Sequence, residues 1–137
     1  MLFRYWALIS PRAASQRYLE TPWLIGPDGT LAGKQVLEVG CGRGVGLAIL
    51  LGLGAARVTG FDLDPEMVAL AEKRMATYDE RACVFVGDAE MIAVPDASFD
   101  AVVDYGIIHH IPNWPQALRE IARVLKPDGV FYFEDLL

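Results

Sequence analysis

The run Val36-Leu37-Glu38-Val39-Gly40-Cys41-Gly42-Arg43-Gly44 decides how the rest of this chain is read. An apolar strand carrying one acid leads directly into glycines at every second position. Glycine turns the chain sharply through positive φ, and without a Cβ it lets a ligand lie against the main chain. Such a backbone points to a nucleotide-like cofactor. The spacing then narrows the choice. A dinucleotide fingerprint, G-x-G-x-x-G/A, requires Gly or Ala at position 45 counted from Gly40, or at 47 counted from Gly42. Val45 and Leu47 stand there, and the chain presents instead Glu38 followed by Gly40, Gly42 and Gly44.

Further features follow in order from about residue 33 to the C-terminus. Val58-Thr59-Gly60-Phe61 ends at Asp62, and Asp64-Pro65-Glu66-Met67 opens a helix. Cys83-Val84-Phe85-Val86 leads to Gly87-Asp88-Ala89-Glu90, and Val94-Pro95-Asp96-Ala97-Ser98-Phe99-Asp100-Ala101-Val102-Val103 leads to His109-His110-Ile111-Pro112. Leu118-Arg119-Glu120-Ile121-Ala122-Arg123-Val124-Leu125-Lys126-Pro127-Asp128-Gly129 closes the series. Each piece alone is common, but the joint order resembles the class I S-adenosylmethionine-dependent methyltransferases, specifically a small-molecule-type methyltransferase domain. The glycine run is similar to that family's first motif.

At 137 residues the chain is long enough for one domain with its own core, needing no metal or disulfide staple. Its composition is 53% apolar, which suits a parallel sheet covered on both faces. A net charge of −6 argues against a surface that neutralises phosphates, so nucleic acid is not the expected partner. Cys41 and Cys83 form neither a metal-ligand pattern nor a disulfide framework, and free thiols suit a reducing cytoplasm. Residues 2–9 are apolar, but Arg4 interrupts them and Pro11 follows early, which speaks against a cleaved signal peptide. No run reaches the length of a membrane span. A cytoplasmic protein without stable membrane insertion is expected.

Residues 1–34 read as an N-terminal helical or lid segment, and 35–137 as the cofactor-binding core. In the first segment Trp6 and Leu8 with Tyr18 and Leu19 offer helical faces broken at Pro11. Thr21-Pro22 resembles an N-cap followed by proline at the first helical position, and Gly26-Pro27-Asp28-Gly29 is a turn cluster. From Gln35 onward strands and helices alternate, the signature of βαβ units in an α/β fold. Strands are predicted near 35–39, 57–62, 83–87, 100–105 and 130–134, and helices near 44–53, 65–77 and 115–125. The last helix places Lys126 in its final turn and Pro127 at its end. Right-handed crossovers give a Rossmann-like, doubly wound parallel sheet of order 3-2-1-4-5, with ligands bound at the switch point between strands 1 and 4. The family resemblance implies a further helix and an antiparallel hairpin after strand 5. The chain stops at Glu134-Asp135-Leu136-Leu137 instead, so a truncated core is expected, and a homodimer through the strand 5 edge is the alternative.

Several residues draw the eye for their chemistry. Asp62 lies at a strand end 20 residues after Gly42, where an acid accepts both ribose hydroxyls; such an acid serves NAD equally well. Asp64 reads as a helix N-cap. The helix after Gly44 offers unpaired N–H groups to a carboxylate. The resemblance implies the rest of the cofactor site. The Gly40-Cys41-Gly42 loop lies against the sugar and amino-acid tail, Glu38 meets the methionine ammonium, and Leu63 packs on the adenine face. Asp88 and the Ala89 N–H read the adenine edge, although Asp88 is equally a turn-former. Backbone carbonyls near Asp104 and Tyr105 bind the ammonium, and Gly106 leaves room for substrate. The Asp104-Tyr105-Gly106-Ile107 stretch lacks the proline pair of amino-methylating nucleic-acid enzymes. His109 and His110, adjacent in sequence, are expected to point apart and not to share a metal. No catalytic residue is assigned, because in-line methyl transfer from an activated sulfonium relies on alignment and desolvation. The function expected is S-adenosylmethionine-dependent methyl transfer to a small-molecule acceptor. The alternatives are a non-catalytic cofactor-binding module and a nicotinamide-dependent oxidoreductase.

Overall fold

The computed structural model describes residues 16–26 and 30–134. The expected helical faces at Trp6 and Leu8, the break at Pro11, the side chain of Tyr18 and the turn at Pro27-Asp28-Gly29 lie outside them. Five strands, β1 (Gln35–Val39), β2 (Arg57–Asp62), β3 (Ala82–Val86), β4 (Phe99–Tyr105) and β5 (Leu125–Glu134), form one sheet of order β3-β2-β1-β4-β5. Every neighbouring pair is parallel. The α/β, Rossmann-like order 3-2-1-4-5 is therefore as expected, and among the described residues the sheet carries no antiparallel strand.

Alternation along the strands builds two cores. Val36, Val58, Ala101 and Val103 face a layer containing Leu47, Leu50, Ala71 and Met75. Leu37, Val39, Phe61 and Val102 face Ala117, Ile121 and Val124 on the opposite side. Helix α1 (Thr21–Ile25) follows a π-helical turn, Gln16–Glu20. Helix α2 (Val45–Gly52) is apolar nearly all round and buried, as expected for a crossover wedged between layers. Helix α3 (Pro65–Met75) starts where Asp64 Oδ1 accepts from the Glu66 N–H at 2.9 Å, with Pro65 in the first turn, so Asp64 is the cap that the sequence predicts. Helix α4 (Trp114–Val124) buries Ala117, Ile121 and Val124 at helical spacing. Among the described residues no helix is long and apolar enough to cross a membrane.

Two local expectations fail. Helix α4 stops at Val124, and Leu125 is already extended and paired with Phe99. Lys126 precedes Pro127, whose ring disfavours helical backbone in the residue before it, so Lys126 leaves the helix and Arg123 occupies the last turn. Strand β5 consequently begins five residues before the predicted 130. Phe99 pairs with Leu125 but Ala101 with Val130, and the surplus β5 residues bulge. A Cβ on Gly129 would lie 2.7 Å from Leu125 Cδ2 and 2.9 Å from the Lys126 carbonyl oxygen, so the bulge closes on a glycine. Thr21 is also not a helix cap. Glu20 occupies that position, and the Thr21 hydroxyl is turned into the protein.

The β3–β4 crossover, residues 87–98, contains no helix. It is clamped onto α4 instead. Arg123 donates to the Ile92 carbonyl at 2.8 Å and the Val94 carbonyl at 2.9 Å, while Glu120 accepts from the Ile92 N–H at 2.8 Å. At the opposite end of the sheet, Asp100 accepts from the Gln35 N–H at 2.8 Å and from Lys126 Nζ at 3.1 Å, tying β1, β4 and the β5 bulge together.

Candidate active site

Parallel strands deliver their C-terminal ends to one rim of the sheet, and there the ends of β1, β2, β3 and β4 surround a cleft at the switch point. Gly40, Gly42 and Gly44 all have positive φ. A Cβ on Gly40 would strike Ile107, with contacts of 2.7–3.0 Å, whereas nothing lies within 4 Å of a Cβ on Gly42. One glycine is required by protein packing, and the other opens onto the cleft. Gly60, inside β2, has a similar reason to be glycine: a Cβ there would lie 2.8 Å from Cys41 Cβ and 2.9 Å from Leu47 Cδ1. An interior strand glycine is a sequence signal for close backbone approach, and the sequence reading passed over this one.

The cleft has two halves sharing Gly40 and Ile107. One cavity of about 210 Å³ is walled by Phe61, Asp62, Leu63, Asp88 and Ala89 among others. The other, about 370 Å³, is walled by Glu38, Cys41, Gly42, Arg43, Tyr105 and Gln16 among others. Nine of the ten residues singled out from the sequence thus line the cleft. Asp104 is the tenth. Its side chain is fully buried behind the wall, where Oδ1 accepts from the Ile107 N–H at 2.8 Å and sets the turn that carries Ile107. Ile107 and Gln16 are among the lining residues that were missed. Ile107 is one apolar residue in a turn, and Gln16 arrives from a segment with no local signal.

The first cavity is flat and apolar on one side. Phe61 stacks on Phe85 with ring centroids 5.6 Å apart, and Leu63 stands 70% exposed at the rim. Asp62 Oδ2 accepts from the Gly42 N–H at 3.0 Å, and Oδ1 from the Asp64 N–H at 3.0 Å. The carboxylate therefore fixes the glycine loop, and it retains lone pairs for a ligand, since two oxygens accept about four hydrogen bonds. Asp88 Oδ1 accepts from the Glu90 N–H at 2.8 Å, so the turn-forming reading of Asp88 holds locally while the residue also lines the cavity.

The second cavity is acidic. Glu38 is only 3% exposed, and its Oε2 is buried without a hydrogen-bond partner. Burial, then the charges of Asp104 and Asp62, push its carboxyl well above the ordinary range. Gly46 in the first turn of α2 packs directly on that carboxylate, and any Cβ there would collide with it. Burial and the neighbouring Glu38 also push the Cys41 thiol up to about 12, so Cys41 is a wall residue and not a nucleophile. A buried acceptor beside two more carboxylates favours a cation. Among the described residues no group of three or more His, Cys, Asp or Glu could hold a metal ion. An organic ammonium fits this half, and a pyrophosphate would meet like charge.

His109 and His110 do not point apart. They sit on a 3₁₀ turn, Ile108–His110, with ring centroids 3.9 Å from each other and ring planes tilted by 42°. His110 lines the first cavity.

Residues 37–133 match the family described as "Methyltransferase domain". A phthiotriol/phenolphthiotriol dimycocerosates methyltransferase of Mycobacterium leprae is 40% identical over 108 residues, covering 77% of this chain and 39% of the relative. A fatty-acid O-methyltransferase of Mycolicibacterium smegmatis is 39% identical over 105 residues, covering 75% and 37%. Among solved structures, the YcgJ protein of Bacillus subtilis superposes with a TM-score of 0.72 at 33% identity, covering 77% of this chain and 45% of that one. An S-adenosylmethionine-dependent methyltransferase of Mesorhizobium loti gives 0.73 at 28% identity, covering 83% and 51%. The chain spans about two fifths of the length of the curated relatives it matches. With the glycine loop, the acid at the end of β2 and the parallel sheet of order 3-2-1-4-5 in place, this chain belongs to the class I S-adenosylmethionine-dependent methyltransferases.

Proposed function

We propose that this chain binds S-adenosylmethionine across the two cavities and supports methyl transfer to a small-molecule acceptor. The observation that carries this reading is the orphaned Glu38 Oε2 at the acidic end of a cleft whose other end is apolar and flat. Adenosine fits the half walled by Phe61, Leu63, Asp88 and Ala89, with Asp62 on the ribose hydroxyls. The amino-acid tail fits the half containing Glu38, Gly42 and the backbone of Asp104 and Tyr105. When bound, the cofactor supplies an activated methyl group on sulfur. The protein aligns and desolvates: the buried floor excludes water, Ile107 divides the two halves, and no nucleophilic side chain is required. The acidic half weighs against the nicotinamide reading, since a dinucleotide would bring its pyrophosphate to the glycine loop beside Glu38, Asp62 and Asp104.

The names of the relatives, one acting on phthiotriol lipids and one on fatty acids, support an oxygen acceptor on a lipophilic molecule. The unpaired Cys41 and Cys83 suit a cytoplasmic setting, and the charge of −6 supports an acceptor other than nucleic acid. Residues 1–34 serve as a lid over the 35–137 core, supported by Gln16 in the cavity wall. Exposed Val130 and Phe133 on the β5 edge support a homodimer there, which sedimentation velocity tests. The deciding experiment is calorimetric titration with S-adenosylhomocysteine and with NAD, on the unaltered chain and on Asp62→Ala. Selective binding of S-adenosylhomocysteine, weakened at least tenfold or so by the substitution, is expected from losing hydrogen bonds to a charged group. Preference for NAD would overturn the reading. Binding without methyl transfer to any lipid alcohol or acid would favour the non-catalytic module.

A further inference from the structure

Gln16 enters the acidic cavity from outside the loops of the sheet. It forms part of the wall beside Glu38, Arg43 and Tyr105, and is 7% exposed. Thr21, 1% exposed, holds its backbone in place. The Thr21 hydroxyl donates to the Gln16 carbonyl at 2.6 Å and lies 2.7 Å from the Tyr105 hydroxyl. A threonine hydroxyl has a single proton. With that proton on Gln16, the Tyr105 hydroxyl is the donor of the second bond. Burial foremost, and the charge of Glu38 next, raise the Tyr105 phenol above its ordinary value, so it keeps the proton it donates. Tyr105 ends β4, so the relay from Tyr105 through Thr21 to Gln16 fastens the N-terminal segment to the sheet between residues 84 apart in sequence.

The wall below is suited to only half of an amino-acid tail. Glu38 supplies an acceptor for the ammonium, but a carboxylate needs donors. The first turn of α2 offers N–H groups, Arg43 is exposed at the rim, and Gln16 brings a side-chain amide with two N–H donors. Of the two side chains Gln16 is the buried one, and a hydrogen bond in a water-poor wall is worth more than one at the rim. We infer that Gln16 donates to the carboxylate of the cofactor's amino-acid tail, and that the Thr21–Tyr105 hydrogen bond is the latch that positions it. This rests on the cofactor reading above. The N-terminal segment is then part of the binding site and not only its cover.

The test compares two probes by calorimetry on the full chain. S-adenosylhomocysteine carries the amino-acid tail, and 5′-methylthioadenosine keeps the adenosine and thioether without it. Gln16→Ala is expected to weaken S-adenosylhomocysteine about tenfold or more, the loss of one hydrogen bond to a charged group, and to leave 5′-methylthioadenosine unchanged. Thr21→Val and Tyr105→Phe are expected to give the same selective loss, and Thr21→Ser, which keeps the hydroxyl, to restore it. In a Gln16→Ala background Thr21→Val should add nothing further, since the residue being positioned is gone. Gln16→Ala leaves the backbone carbonyl that Thr21 uses, so it carries the test even if the latch variants unfold. Equal weakening of both probes, or unaltered S-adenosylhomocysteine binding by folded Gln16→Ala, overturns the proposal while leaving the cofactor reading intact. If the unaltered chain binds neither probe, the cofactor reading fails and the proposal falls with it.

Discussion

Gly40 and Gly42 share a left-handed backbone, yet an added methyl group acts differently at each. Alanine at either position carries the cost of positive φ, about 1–2 kcal/mol. At Gly40 the new Cβ also meets the branched part of Ile107, and Ile107 can yield only into the cleft it divides. Gly40→Ala is therefore expected to lose both stability and S-adenosylhomocysteine binding. Gly42→Ala should lose binding with the backbone cost alone, so urea unfolding beside calorimetry separates the two. Glu38 allows a pH prediction. Its folded pKa is raised, so the native state still holds the proton after the unfolded chain has released it. Stability thus falls as pH rises from the ordinary value of 4.5 toward the folded one. Glu38→Gln removes this fall. Its urea midpoint should gain on the unaltered chain as pH rises above 4.5, while its affinity for S-adenosylhomocysteine drops. Parallel pH profiles of the two proteins would refute the assignment.

At the scale of elements, the crossover from β3 to β4 shows how a segment without a helix is held in position. Arg123 and Glu120 sit one turn apart on α4, and between them they engage the Ile92 N–H and the carbonyls of Ile92 and Val94. Ile92 and Ala89 of that crossover are buried in the core under the half of the cleft walled by Asp62 and Leu63, where adenosine is proposed to bind. Arg123→Met keeps much of the aliphatic stem and removes those bonds. Roughly 2 kcal/mol of stability should be lost, and 5′-methylthioadenosine should weaken along with S-adenosylhomocysteine, because the adenosine wall loosens. Unchanged affinity for both would show that the crossover keeps its place without the clamp. Local propensity was readable in α3, where Asp64, Pro65 and the spacing of Val68, Ala71 and Met75 all lie within one element. The start of β5 was not readable, because Leu125 continues the apolar spacing of α4 and only its partner Phe99 makes it a strand.

For the whole molecule, the cleft joins four strand ends and the N-terminal segment, so a ligand in it bridges parts that otherwise separate on unfolding. A ligand bound only by the folded state at a hundredfold excess over its Kd adds about 2.7 kcal/mol, a rise in Tm on the order of 10 °C for a chain of this size. S-adenosylhomocysteine should produce that rise, and NAD at the same concentration should not. Acid acts in the opposite sense. The Gln35 N–H foremost, with Lys126, holds Asp100 below its ordinary 3.8, and Arg123 foremost holds Glu120 below 4.5. Both groups have depressed folded values, so their contribution is present above those ordinary values and is lost as pH falls through the folded ones. Asp100→Asn should flatten this acid limb of the stability curve in thermal melts, and an unchanged limb would mean that the sheet-end tie contributes little.

The sequence by itself determined the strand order, the cofactor class and nine residues of the cleft wall. Those features are written locally: a buried parallel strand is a short apolar run, and the glycines and acids that follow it sit at its C-terminal end wherever the strand lies. Tertiary structure alone decided which of those residues face the cleft. Asp104 turned inward to hold Ile107, the rings of His109 and His110 came together on a tight turn, and Thr21 left the helix cap for Tyr105. The first two outcomes follow from how tightly the chain turns after β4, and the third from a partner far away in sequence, the hydroxyl 84 residues from Thr21 that brings Gln16 into the wall.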